Sequence, residues 1–137
     1  MTKDEESAGS AGEVKSYGEY LRYMEEKYPK LFSGRYGGFD IDPGWYKLVD
    51  VLCANIQRHI DFMESKNPGV VSQVVVEQIK EKFGGLRFYY SGGDEYISGL
   101  VSMAESVSEY TCEVCGAPGK KSGKGWIRTL CDIHSIP

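Results

Sequence analysis

Cys112 and Cys115 form a Cys-x-x-Cys pair in the closing stretch TCEVCGAPGKKSGKGWIRTLCDIHSIP, and after fifteen intervening residues Cys131 and His134 form a Cys-x-x-His pair. Each short pair bends the chain into a knuckle that aims both ligands inward, so two such pairs suit one tetrahedral zinc ion. Surplus thiols and an iron-sulfur site are the competing readings, and a histidine as fourth ligand favours zinc. Three thiolates and an imidazole fill the tetrahedron and make the ion a poor Lewis acid, so the expected role is structural. Gly116 follows the first knuckle, where freedom to take positive φ helps the chain turn back, and GKKSGKG offers a turn between two strands that bring Cys131 home.

Other chemistry finds little support in the sequence. A zinc base deaminase needs His-x-Glu as well as paired cysteines, and the chain has no His-x-Glu. In treble-clef nucleases the second ligand pair opens a helix that carries catalytic groups; only Ser-Ile-Pro follows His134, so a nuclease is not expected. His59 and Cys53 lie on or beside an apolar helical stripe, where a half-buried, hydrogen-bonded imidazole and a packed thiol are the expected states. There is no phosphate-binding glycine loop of the Walker or dinucleotide type. No catalytic residue is expected, with an unrecognised hydrolase as the remaining enzyme reading.

Two sets of residues could form a binding surface. Lys120, Lys121, Lys124, Trp126 and Arg128 crowd one glycine-rich turn, where lysines could meet phosphates and an indole could stack on a base. The competing reading is a solvated turn with Trp126 packed over the metal site or against the body of the protein, and the acidic remainder of the chain favours it. Tyr36, Phe39, Tyr89, Tyr90 and Tyr96 fall in or beside glycine-rich loops and a hairpin, and large rigid aromatics are what protein interfaces favour.

Such residues need elements to hold them. Tyr17, Tyr20, Leu21, Met24 and Tyr28 have helical spacing, ending near Pro29. Asp42 reads as an N-cap with Pro43 at the first helical position, opening a helix whose stripe runs Trp45, Leu48, Val49, Leu52, Cys53, Ile56, Ile60, Met63 and closes at KNPG. VVSQVVVEQIKEK, a turn at FGG and the return LRFYYS make a hairpin with Leu86, Phe88 and Tyr90 on one face. Ser91 or Asp94 then caps a third helix through Ile97, Leu100, Val101, Ala104 and Val107. The expectation is an α+β fold: a small helical domain with a β-hairpin over residues 16–110, a zinc-ribbon or knuckle-like module over 111–137 packed on it, and a disordered tail over 1–15.

A length of 137 residues suits one domain, and a net charge of −4 argues against general attraction to nucleic acid or anionic lipid. The charge is uneven: from Cys112 onward four basic residues face two acidic ones, which leaves −6 on the remainder. With no signal-like apolar core at the start and no run of roughly 18 apolar residues, the expected compartment is the cytoplasm, where paired thiols serve metals more often than disulfides.

IKEKFGGLRFYYSGG, CEVCGAPGK and GWIRTLCDIH together resemble a family of small uncharacterised proteins of bacterial genomes and their prophages, over roughly Trp45 to His134. The resemblance implies a zinc-bearing tail on Cys112, Cys115, Cys131 and His134, a cytoplasmic setting and a mobile-element origin. It carries no catalytic role. The expected function is therefore non-enzymatic binding of a partner protein, in the manner of a prophage-encoded inhibitor or modulator of a host defence factor, with nucleic-acid binding through the basic loop as the alternative.

Overall fold

A computed structural model describes residues 16–135; the tail expected over 1–15 lies outside them. Ser16 opens the first helix, α1 (Tyr17–Lys27): its hydroxyl accepts from the Glu19 amide while the Glu19 carboxylate accepts from the Ser16 amide, a complete capping box. Tyr20 and Met24 on one face of α1 are buried, and the helix stops one residue short of Tyr28-Pro29. The following glycine-rich segment is not all loop. Phe39–Asp40 forms a short strand, β1, parallel to the hairpin, with Phe39 opposite Ile79 and Asp40 opposite Lys80.

The second helix begins later than its sequence suggests. Pro43–Trp45 is a 3-10 turn, and the α-helix proper, α2, spans Tyr46–Lys66. Asp42 stands at the expected boundary but makes no side-chain capping bond; its carboxylate reaches Arg128 Nη2 at 2.9 Å instead. Trp45, Val49, Leu52, Cys53, Ile56 and Ile60 are buried as the periodicity requires.

Two antiparallel strands follow, β2 (Ser72–Lys82) and β3 (Gly85–Gly93), joined by the two-residue turn Phe83-Gly84. Both turn residues have positive φ, 54° and 78°, the conformation that matches the twist of paired strands. Leu86 and Phe88 are buried and Tyr90 half-buried on the inner face, while Tyr89 points outward. The third helix, α3 (Glu95–Ser108), is capped by Asp94, whose Oδ1 accepts from the Ile97 amide. It packs on α2 and β3 and buries Ile97, Val101 and Ala104.

Among the described residues, three α-helices and a three-stranded sheet of order β1-β2-β3 enclose one apolar cluster, to which no residue after Ala104 contributes. A separate two-stranded antiparallel sheet, β4 (Lys120–Ser122) with β5 (Arg128–Leu130), follows α3 and pairs Lys120 with Leu130. The architecture is mixed α+β. No helix among the described residues is long and apolar enough to cross a membrane.

Candidate metal centre and its surroundings

The four expected ligands converge. One side-chain donor atom from each of Cys112, Cys115, Cys131 and His134 lies within 4.8 Å of all the others, a grouping that could hold a metal ion. Cys115 Sγ is 3.8 Å from Cys131 Sγ, and His134 Nδ1 is 3.3 Å from Cys131 Sγ and 3.6 Å from Cys112 Sγ. The knuckles form locally. The Gly116 amide donates to the Cys112 carbonyl at 2.9 Å, the Cys112 amide donates to the Ala117 carbonyl at 2.7 Å, and the Ser135 amide repeats the turn on the Cys131 carbonyl at 2.9 Å. Gly116 takes φ of 85°, as its place after the knuckle requires.

Electrostatics prepare one thiol for metal. Burial opposes ionisation of Cys112, but amide donors from Cys115, Cys131 and Val114, together with His134, outweigh it and hold the thiol down at about 6. Cys115 moves the other way: the Ala117 amide favours its thiolate, yet burial and the neighbouring Cys131 and Cys112 sulfurs leave it raised. Close-packed thiols ionise one after another, so an ion that replaces their protons relieves the repulsion between them.

The centre is seated on the body of the protein by backbone contact. The Gly44 amide donates to the Glu113 carbonyl at 2.7 Å, and the buried Trp45 indole donates to the Thr111 carbonyl at 2.9 Å. Thr129 Oγ1 donates to the Gly84 carbonyl at 2.6 Å, tying the module to the hairpin tip. A Cβ on Gly44 would lie 2.1 Å from the Cys112 carbonyl oxygen, so only glycine permits this approach. In the sequence Gly44 reads as part of a helix start; nothing local reveals that the first knuckle rests on it.

The basic loop is less basic than it looks. Lys121 pairs with Glu109 at 3.1 Å, and Arg128 spans Asp42 at 2.9 Å and Glu113 at 3.4 Å. Trp126 is neither packed over the metal site nor docked, contrary to the expectation: it is 75% exposed, with the Arg128 guanidinium 5.8 Å from its ring. Beside it a cavity of about 300 Å³ is lined by Asp40, Asp42, Glu81, Glu113, Trp126 and Arg128, with Ile41. Glu113 is buried, and that burial raises its carboxyl although the Thr129 amide and Arg128 favour the ionised form.

The aromatic set does not stay together. Phe39 is buried in the core between Tyr20, Phe32 and Tyr36, because β1 turns its side chain inward, so it is removed from the candidate interface. Tyr36 and Tyr90 are half-buried against the same core, and the Tyr36 hydroxyl donates to Glu25. Tyr89 and Tyr96 are exposed, on different elements. Tyr96 stacks on His59 at 4.1 Å, and His59 Nε2 lies 2.9 Å from Asp94 Oδ2. Asp94 thus caps α3 with one oxygen and meets α2 with the other, a partnership across 35 residues that sequence spacing does not display.

No family model, curated protein or solved structure matches the chain.

Proposed function

We propose that the protein is a non-enzymatic, zinc-stapled interaction module that grips a basic segment of a partner protein beside the metal centre. The observation that carries this reading is Trp126, 75% exposed at the mouth of a cavity with four carboxylates and a single guanidinium. A large exposed aromatic beside fixed negative charge suits a lysine or arginine side chain, which meets the indole face through cation-π attraction and the carboxylates through charge-assisted hydrogen bonds. Arg128 is occupied by Asp42 and Glu113, and Glu81 Oε2 accepts from the Gly84 amide at 2.8 Å, which leaves Asp40 and the second Glu81 oxygen to face an incoming cation.

Zinc fits the ligand spacing. Metal-sulfur bonds of about 2.3 Å at tetrahedral angles place two sulfurs roughly 3.8 Å apart and a sulfur and a nitrogen roughly 3.5 Å apart. The Cys115-Cys131 separation is 3.8 Å, and the two distances to His134 Nδ1 are 3.3 and 3.6 Å. With four protein ligands the ion holds the module in shape and leaves no position for water, which supports a binding role.

Nucleic acid is the weaker reading. Two of its five candidate residues, Lys121 and Arg128, are spent on internal ion pairs, and Trp126 and Arg128 line a cavity whose four carboxylates repel phosphate. Trp45 is fully buried, so a fluorescence change on titration reports Trp126. A lysine-rich peptide should shift that emission, with affinity that falls as salt rises and falls again in Glu81→Gln. If a duplex or single-stranded oligonucleotide binds and the lysine peptide does not, the basic loop is the working surface and the proposal fails.

A further inference from the structure

The outer faces of α2 and α3 carry a second apolar pattern, of which Leu48 and Leu100 pack partly against the core while Val51, Phe62, Tyr96, Met103 and Val107 remain exposed. On α2, Leu48, Val51, Asn55, Arg58 and Phe62 follow one another at spacings of three and four, beside the buried stripe. On α3, Tyr96, Leu100, Met103 and Val107 do the same at four, three and four. His59 meets Asp94 near the end of α2 and the start of α3, while Leu48 and Val51 share a cavity with Val107, so the helices run antiparallel and their outer seams lie side by side. A seam of this spacing is what a helix presents to another helix.

Between the seams lies a hollow of about 310 Å³ lined by Leu48, Val51, Leu52, Asn55, Leu100, Met103, Ala104 and Val107, none of them charged. Asn55 joins it to a second hollow of about 200 Å³ bounded by Arg58, His59, Phe62 and Tyr96. Val51, Phe62, Tyr96, Met103 and Val107 are between 41% and 66% exposed. Counting a fully exposed aromatic side chain as ~200 Å², they leave on the order of 500 Å² of apolar surface in water. That is the size at which a monomer's largest patch is usually functional, and a large part of the ~800 Å² that each partner contributes to a standard stable interface.

We infer that this face is covered by a second copy of the chain, the two α2/α3 pairs forming a two-fold four-helix contact. Three observations select this occupant. The face carries both a projecting side chain, Met103 at 66% exposure, and the hollow beside it, as self-complementarity about a two-fold axis requires. The chain bears a net −4, so two copies repel least where the larger hollow carries no charge. The exposed apolar area is more than half of one partner's share of a stable interface. In the dimer, Met103 of the partner subunit enters the hollow rimmed by Val51 and Leu100, and Asn55 and Arg58, joined at 2.7 Å, are the polar residues of the α2 seam that fix the register. The inference stands on surfaces separate from the Trp126 cavity and does not depend on the function assigned to it.

Sedimentation equilibrium of the zinc-loaded full chain should give twice the 15.3 kDa chain mass at micromolar concentration. Met103→Glu and Val51→Lys each change an exposed side chain and should leave folding intact by circular dichroism while raising the dimer dissociation constant at least tenfold. Mixing the two variants should restore association, because one of the two symmetric contacts becomes a carboxylate-ammonium pair and the other stays native. A wild-type chain that remains monomeric to several hundred micromolar, or folded variants that dimerise as well as wild type, would overturn the inference.

Discussion

At Asp50 a carboxylate with 3% exposure accepts hydrogen bonds from Tyr23 Oη at 2.7 Å and from Tyr28 Oη, with Lys27 Nζ at 3.3 Å. A buried charge is tolerated only with partners, and removal of one leaves the others to carry its desolvation. Tyr28→Phe should therefore cost about 1–3 kcal/mol in urea unfolding at neutral pH. The pH dependence follows from the hydroxyl: burial first, then the hydrogen bond to Asp50, raises the Tyr28 ionisation above its ordinary value of 10.0. The native state holds the proton that the unfolded chain gives up near 10, so this contribution is complete below pH 10 and is lost as pH climbs above it. The gap between wild type and Tyr28→Phe should narrow from pH 10 to 12; a gap constant over that range would show that the hydroxyl is not the source. Gly44 is a second single-atom constraint. Gly44→Ala places a methyl 2.1 Å from the Cys112 carbonyl oxygen and 2.4 Å from Glu113 backbone atoms, so the knuckle must move. A cost of about 1–3 kcal/mol with faster metal loss to a chelator is expected, and an alanine variant with unchanged melting and metal retention would show that the contact yields freely. Neither residue announces itself in the sequence, because the atoms that give each its importance are distant along the chain.

Among the elements, those with a local signal were legible and those made by distant pairing were not. The periodicity of α2 and α3, the glycine turn of the hairpin and the inward face of β3 are each written in consecutive residues. Strand β1 is only two residues long and exists because Phe39 and Asp40 meet Ile79 and Lys80, so no alternation is available to reveal it. At the entry to α2, Asp42 and Pro43 take the N-cap and first helical positions that the sequence indicates, but the first turn is 3-10 and the Asp42 carboxylate pairs with Arg128 instead of capping. At Asp94 the cap chemistry prevails, and a second function is added to it through His59. Substitution separates the two. Asp94→Asn keeps an acceptor for the Ile97 amide and should change stability little, whereas Asp94→Ala loses the cap and should cost about 1 kcal/mol. Equal losses in both variants, read from thermal melts, would assign the stabilisation to the His59 contact rather than to the helix end.

For the whole molecule the decisive feature is that the apolar cluster ends at Ala104, while the four candidate ligands begin at Cys112. The ligand set was legible because its spacing is local, but the seat of the module on Gly44, Trp45 and Gly84 joins residues 45 or more apart and left no trace in the pattern. Among the described residues of the module, Cys112 and Cys131 are the buried apolar ones, so its own packing is slight and a bound ion would supply most of its folding free energy. The helical body needs no such help, since Tyr20, Leu31 and Ile56 are buried in the main cluster. Chelation, or Cys112→Ser, should then release one metal equivalent and strip hydrogen-exchange protection from residues 111–135 while the far-ultraviolet signal of the helices persists. The hairpin tip should loosen next, because the Gly84 carbonyl loses the Thr129 hydroxyl. Collapse of the helical signal together with metal release would mean that the module is an integral part of the core, and unchanged metal content in Cys112→Ser would remove the ligand assignment itself.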